Sequence, residues 1–331
     1  MINCNSTTFF NTAQFLTYFL HCFGCFAIPI HIFGGYCILY KTPVTMASVK
    51  WCLFSFHCWS CFMDLGLSLL TTPYLFLPAL AGTTVGVLNL TGLGMGEQAF
   101  LMMATVGIVI VSVIVIFEKR LFILLPRSTY WRHVRIPWLI FDFLIALFYF
   151  LPTYFYYPDQ DLSRKLVVKN FGCIPKYINL DSLFFISTVD STFLGTYTLM
   201  VQFFFAQIFV FAILTDIILR KQMKTTNTSR QTARLQRLFQ KALILQVTLP
   251  FIVLFTPLVC AGFSVLFWLH YQYLTNVLVF LVSSHGFFST ITMISVHRPY
   301  REYTRNLVNY TIMVRIDRGN SVSNANTNDI T

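Results

Sequence analysis

The residues of this chain that could do chemistry are isolated polar side chains inside long apolar stretches. Asp64 lies near the middle of one such stretch, and Asp142 lies within another. A carboxylate in a membrane is costly unless it is paired, so it usually faces the interior of a helix bundle. Asp64 could bind a cation or couple helix positions during a switch, and a hydrogen bond that only fixes packing is the simpler alternative.

Motifs of enzymes are absent from the sequence. Gly92-x-Gly94-x-Gly96 follows no predicted strand and opens no βαβ unit, which argues against a dinucleotide site. No group of His, Cys, Asp and Glu has the spacing of metal ligands. The sequence therefore predicts neither an enzyme nor a cofactor.

The elements that must position these polar groups are seven apolar stretches, each longer than the ~20 residues that cross a bilayer as a helix. They run over Gln14–Tyr40, Trp51–Leu77, Gly96–Leu124, Val134–Phe155, Phe193–Leu219, Ala242–Leu269 and Tyr273–Val296. Only 11% of the 331 residues are charged, against about 25% in soluble proteins. Backbone polar groups in lipid must be satisfied within helices. We predict an all-α integral membrane protein with a seven-transmembrane helix bundle.

Positive charge is concentrated on one side of these stretches. Of the 23 Lys and Arg, 19 follow the first, third, fifth and seventh stretches. The positive-inside rule then places the N-terminus outside and the C-terminus in the cytosol. In a soluble protein the net charge of +11 would suggest nucleic acid. Here it predicts contact with anionic membrane lipids and a cytosolic partner, and no nucleic acid.

Four segments follow from this topology. Residues 1–13 form an extracellular segment, 14–296 the bundle, 297–316 a cytosolic amphipathic helix, and 317–331 a disordered tail. Pro299 is placed to begin the short helix, since proline suits the first helical turn. Tyr300, Tyr303 and Leu307 would form its apolar face on the inner leaflet.

Several cytosolic features suggest a switch. Pro250 and Pro257 could form a hinge in the sixth stretch, although static bending is the simpler interpretation. Glu118-Lys119-Arg120 ends the third stretch, where it is either a plain topology signal or a contact for a G protein. A basic amphipathic helix precedes the sixth stretch and carries Arg230, Arg234, Arg237 and Lys241.

The outer side carries the possible covalent modifications. Cys4 and Cys173 lie in segments that we place outside the cell, where a disulfide bond between them is possible. Asn5 and Asn89 begin N-glycosylation sequons on the same side. The joint Tyr156–Thr192, the loop between the fourth and fifth stretches, is long enough to cover the mouth of the bundle. It is either a solvated connector or a lid over a ligand site.

Several motifs resemble those of the nematode serpentine chemoreceptors of class H, within the G-protein-coupled receptor superfamily. The strongest block is Ile28–Leu39, which includes His31, and the match continues through Lys41-Thr42-Pro43 and Asp64-Leu65. The sequence His297-Arg298-Pro299-Tyr300-Arg301 after the last stretch is characteristic. The resemblance covers about residues 14–305.

The resemblance implies a receptor in the plasma membrane of sensory neurons, with sensory cilia as the expected location. It implies small environmental chemicals such as odorants as ligands and a heterotrimeric G protein as partner. One departure concerns the exit of the third stretch, where the family usually has Glu-Asn-Arg and this chain has Glu118-Lys119-Arg120. The Arg is kept, so coupling is expected, and Lys119 could alter the choice of partner.

Depth along the stretches predicts Glu97, Gln202, Tyr74 and Tyr197 as candidate ligand contacts in the outer half of the bundle. Ligand binding would favour a state in which the sixth span swings outward and exposes Glu118–Arg120 and the basic helix to the G protein. A transporter would need charges paired across spans and usually an internal repeat, and neither is seen. A ligand-gated cation channel with an intracellular N-terminus would need the reverse topology, against which the charge distribution argues.

Overall fold

A computed structural model describes residues 8–126, 128–187, 191–225, 230–311 and 313, without the side chains of 45, 191–194, 222–236 and 239. The chain is mostly helical. Six helices are long and apolar enough to cross a membrane, and a bent pair of shorter helices makes up to seven among the described residues. This agrees with the seven predicted stretches.

The first half of the bundle is formed by helices α1 (Ala13–Lys41), α2 (Lys50–Leu65) and α3 (Met95–Leu124). A π-helical turn, Gly66–Leu70, continues α2. Helix α3 is the most buried span and packs against its neighbours on several sides. Its run of buried β-branched residues between 105 and 116 explains this central position, since no face of it is polar.

The sequence predicted that the second stretch continues as a helix to Leu77, and this prediction is wrong. The helical segment ends at Leu70, and Pro73–Phe76 forms strand β1, which pairs antiparallel with β2 (Ala81–Thr84). Hydropathy alone does not separate a buried strand from a helix. Pro73 provides the reason for the break, because a proline disfavours helical backbone in the preceding residue and Thr72 has a φ of 41°.

The fourth span is formed by α4 (Trp131–Phe148) and α5 (Leu151–Phe155). After α6 (Gln160–Phe171), strand β3 (Phe184–Phe185) joins the open edge of β2. The joint between the fourth and fifth spans therefore contributes a strand to a three-stranded sheet. Two of its three strands come from the segment after the second span. The sheet lies over one end of the bundle, and we call it the lid sheet; that the joint covers a ligand site remains a prediction.

The remaining spans are α7 (Ser191–Thr225), α8 (Arg230–Leu266) and the pair α9 (Gln272–Ser283) and α10 (His285–Val296). Helices α9 and α10 meet at an angle of 47°, so the seventh span is broken near its middle. Residues 298–311 form a further helix, α11. Both prolines of α8 lie within one continuous helix.

Two apolar cores hold these parts together. One fills the bundle around α3, and the other joins the lid sheet to α6, to the first turns of α1 and to α9. Polar side chains fix the same junction. Gln160 pairs with both backbone groups of Phe185, and Gln272 donates to the Leu75 carbonyl at 2.9 Å. The lid sheet is therefore a packed part of the fold.

Candidate ligand-binding site

A cavity of about 310 Å³ lies beneath the lid sheet. Its walls come from the lid sheet and from helices α3, α7, α8 and α9. The residues from α8 recur every three or four positions and so form one helix face: Leu254, Pro257, Leu258, Ala261, Gly262 and Val265. The cavity therefore touches the sixth span along three turns.

Among the residues that the structure describes, the cavity wall is largely apolar and contains no Asp, Glu, Lys, Arg or His. Gln98 is the most informative polar member, because its amide nitrogen already donates to Asn89 and to the Leu93 carbonyl. Its buried carbonyl oxygen has no hydrogen-bond partner among the described residues. A pocket of this kind suits an uncharged apolar molecule that can donate one hydrogen bond.

Of the four ligand contacts predicted from depth, Tyr197 lines the cavity. Glu97 and Gln202 are exposed and lie outside it, and Glu97 accepts a hydrogen bond from Tyr154 at 3.1 Å. Tyr74 points away from it and donates to the Asn11 carbonyl at 2.5 Å. Depth fixes the level of a residue along a helix but not its face. Glu97 and Gln98 are neighbours in sequence, but about 100° of helix rotation separates the directions of their side chains.

His270, between α8 and α9, holds the lid sheet. Its Nδ1 lies 2.6 Å from the Leu77 carbonyl, and its Nε2 lies 3.0 Å from the Tyr177 hydroxyl. Only one neutral tautomer satisfies both contacts, with the proton on Nδ1 and the tyrosine donating. Burial lowers the pKa of His270, and the Leu77 hydrogen bond partly offsets this.

This contact predicts a lid that loosens in acid. A histidine with a lowered pKa in the closed state binds a proton more readily when the lid opens, so closure weakens as pH falls below about 6.5. Hydrogen exchange of the β1 and β2 amides, corrected for intrinsic rates, should be faster at about pH 5.5 than at about pH 7.5. The variant His270→Gln should lose this pH dependence. Equal pH dependence in both proteins would refute the assignment.

Asp64 lies at the break of the seventh span. Its carboxylate accepts hydrogen bonds from the backbone N–H of Gly286 at 2.8 Å and of Phe287 at 2.6 Å. These groups belong to the first turn of α10, whose N–H groups have no partner within the helix. Asp64 thus satisfies a helix N-terminus inside the bundle, where the helix dipole also favours negative charge.

The close approach of α10 to α2 depends on a glycine. A Cβ atom at Gly286 would lie 2.6 Å from the Ser60 carbonyl oxygen and 3.0 Å from the Asp64 carboxyl carbon. His31 of α1 completes the contact, with its Nε2 3.4 Å from Asp64 and its Nδ1 3.3 Å from the Thr290 hydroxyl. The buried Asp64 and His31 therefore join the first, second and seventh spans.

Glu118 is fully buried near the C-terminal end of α3. Arg135 of α4 binds it with two hydrogen bonds of 2.8 and 2.7 Å, and the Trp131 ring N–H donates at 2.9 Å. Arg120 is also buried. The Lys119 ammonium lies 5.4 Å from the Phe122 ring centroid. Only a rearrangement of the helices would expose Glu118 and Arg120 to a partner.

The basic helix predicted before the sixth span is the first part of α8. Lys241 is exposed and Arg237 is half-buried. The backbone of α8 includes Arg230 and Arg234, whose side chains lie outside the described residues. The role of all four residues in coupling remains a prediction.

The motif from His297 to Arg301 connects three spans. His297 Nε2 lies 2.6 Å from the Gln246 side-chain oxygen on α8, and the Tyr300 hydroxyl lies 2.7 Å from the Thr42 hydroxyl after α1. Arg301 donates to the Ser295 carbonyl at 2.9 Å, and Pro299 lies in the first turn of α11. Burial lowers the pKa of His297 to about 4, so its imidazole is neutral.

The predicted covalent sites are only partly described. Cys173 is disulfide-bonded. Cys4 and Asn5 lie outside the described residues, so their pairing and glycosylation remain predictions. Asn89 is exposed, but its side-chain amide is bound to the Thr84 hydroxyl and carbonyl at the end of β2. Its glycosylation also remains a prediction.

Comparison with known proteins gives one consistent result. The family model for the serpentine seven-transmembrane chemoreceptors Srh matches residues 11–310. Serpentine receptor class H-72 of Caenorhabditis elegans is 26% identical over 295 residues, which cover 86% of this chain and 83% of that protein. The bundle, the broken seventh span and the motif after it lie within the matched region. The chain belongs to the serpentine chemoreceptors of class H, a family of multi-pass membrane receptors.

Proposed function

We propose that this protein is a chemosensory receptor that detects small uncharged molecules and activates a heterotrimeric G protein. The cavity beneath the lid sheet carries the proposal, because it touches six residues of the sixth span, including Pro257. The proposed topology has the lid sheet outside and the basic ends of the spans in the cytosol. The plasma membrane of sensory cilia is the proposed location.

The ligand would be apolar with one hydrogen-bond donor, such as a volatile alcohol. The apolar wall favours hydrocarbon. Its described lining residues carry no charge, which disfavours ions, amino acids and carboxylates as ligands. The carbonyl oxygen of Gln98 would accept the donor. Tyr197 lies on the same wall.

The mechanism would be a shift in population between two helix arrangements. Ligand against Pro257 would favour an outward movement of the cytosolic half of α8, with Pro250 as part of the hinge. This movement would break the contact between Gln246 and His297 and expose Arg120 with Lys119. The basic residues of α8, from Arg230 to Lys241, would then contact the G protein.

The test is a screen in cells that carry a G-protein second-messenger reporter, with alcohols compared against hydrocarbons of the same carbon skeleton. Surface-expressed receptor should respond to an alcohol, and Gln98→Leu should remove the preference for alcohol over hydrocarbon. Arg120→Ala should abolish the response and leave surface expression intact. Responses confined to charged compounds would contradict the proposed ligand class.

Replacing Gln246 by Ala should raise the ligand-free signal. The hydrogen bond to His297 is present in the arrangement described here, and such a bond contributes about 1 kcal/mol. Its loss should raise the ratio of active to inactive receptor about five-fold, measured as basal second messenger per surface receptor. Thr248→Ala is the matched control, since within the described part of the chain that exposed hydroxyl bonds only to the Ile244 carbonyl of its own helix. Unchanged basal signal would remove this contact from the mechanism.

A further inference from the structure

Two imidazoles and a thiol converge between the first two spans. His31 comes from α1, and His57 and Cys61 come from α2, four residues apart on one helix face. One donor atom from each residue lies within 4.8 Å of the other two, and both histidines are buried. The convergence is invisible in the sequence because α1 supplies the third donor.

The distance between His57 and Cys61 suits a tetrahedral zinc ion, and a donor atom of His31 lies within 4.8 Å of both. Zinc bonds of about 2.3 Å to sulfur and about 2.0–2.1 Å to nitrogen place neighbouring S and N ligands about 3.5 Å apart. His57 Nε2 and Cys61 Sγ are 3.5 Å apart. His31 Nε2 is buried and has no hydrogen-bond partner among the described residues. Asp64 Oδ2 lies 3.4 Å from that nitrogen and brings a carboxylate to the edge of the cluster.

Charge also favours this ion at this place. A divalent cation in the interior of a bundle needs compensating negative charge close by. A Cys61 thiolate and the Asp64 carboxylate supply two negative charges, and two neutral imidazoles add none. The complete group is therefore neutral. Two histidines alone would leave the positive charge of a bound zinc ion uncompensated.

We propose that His31, His57 and Cys61 form a zinc-binding site, with the Asp64 carboxylate beside His31 as the second compensating negative charge. Binding would release the thiol proton of Cys61 and replace the present contact of His57 Nε2 with the His31 carbonyl, which is 2.9 Å long. Because Asp64 also holds the first turn of α10, zinc would link the first, second and seventh spans. It would thereby stabilise this arrangement of the bundle.

The test measures zinc bound to the purified full chain in detergent, by competition with a chromophoric chelator and without added odorant. We expect one zinc ion per chain and a rise in thermal stability on binding. Cys61→Ser and His31→Ala should lose tight binding. Cys58→Ser is the matched control, because Cys58 is exposed on the same helix, and it should bind zinc like the wild type.

Cobalt substitution separates loss of ligands from loss of fold. Co²⁺ bound to the wild type and to Cys58→Ser should show a thiolate-to-metal charge-transfer band, and Cys61→Ser should bind Co²⁺ without it or not at all. Asp64→Asn should weaken zinc binding about 10–100-fold, as expected for a residue that lies beside the metal ligands and supports them. No zinc binding by the wild type would overturn the proposal. Equal zinc binding by folded Cys61→Ser would overturn it too.

Discussion

Replacement of Asp64 by asparagine is expected to destabilise the folded receptor by about 2–3 kcal/mol, the magnitude of a lost hydrogen bond to a charged group. The carboxylate accepts one N–H from Gly286 and one from Phe287. An asparagine can accept only one of them, and its NH₂ group would face the other donor. The midpoint of thermal unfolding in detergent measures the effect.

Asp142→Asn is the control for a buried carboxylate. Asp142 accepts a single hydrogen bond from Gln207 through one oxygen, and its other oxygen has no hydrogen-bond partner among the described residues. An asparagine can keep that one bond, so the loss of stability should be much smaller. If the two variants unfold at the same temperature, Asp64 does not hold the break of the seventh span.

Filling the cavity from α8 is expected to abolish the response to odorants. Gly262 lines the cavity and a Cβ atom there meets nothing within 4 Å, so the side chain of Gly262→Phe is expected to enter the cavity. The ring would then occupy space that the ligand needs. We expect at least a ~100-fold loss of potency, since a steric clash excludes the ligand rather than weakening one contact. Dose–response curves in reporter cells measure it.

Gly195→Phe makes the same chemical change at a position that also has nothing within 4 Å but does not line the cavity. It should respond to odorants like the wild type. Both variants should reach the cell surface, because phenylalanine is a better helix former than glycine. Normal potency of Gly262→Phe would place the ligand elsewhere.

Much of the fold could be predicted because lipid imposes a simple rule on the sequence. A helix that crosses a membrane needs a long apolar segment, so Met95–Leu124 and its counterparts stand out. The rule fails at Pro73–Phe76, because a buried strand is as apolar as a buried helix. It also gives no sign that the last span breaks at Ser284, since both halves are apolar.

The contacts of the candidate site are harder to predict from sequence, because they join residues that lie far apart in the chain. Asp64 was identified as an exception in an apolar stretch, but its partners lie more than 200 residues away, at Gly286 and Phe287. The sequence places Glu118 at the end of a span, but its ion pair with Arg135 depends on how α4 packs against α3. Depth along the sequence does not distinguish Gln98 from Glu97, because only the rotation of α3 separates their side chains.

The most direct test of the central proposal uses purified receptor reconstituted in lipid vesicles with a purified heterotrimeric G protein. An active odorant should accelerate guanine-nucleotide exchange on the G protein, and Gly262→Phe should abolish that acceleration. Odorant-driven ion flux across the vesicle membrane without nucleotide exchange would contradict the account and favour a ligand-gated channel.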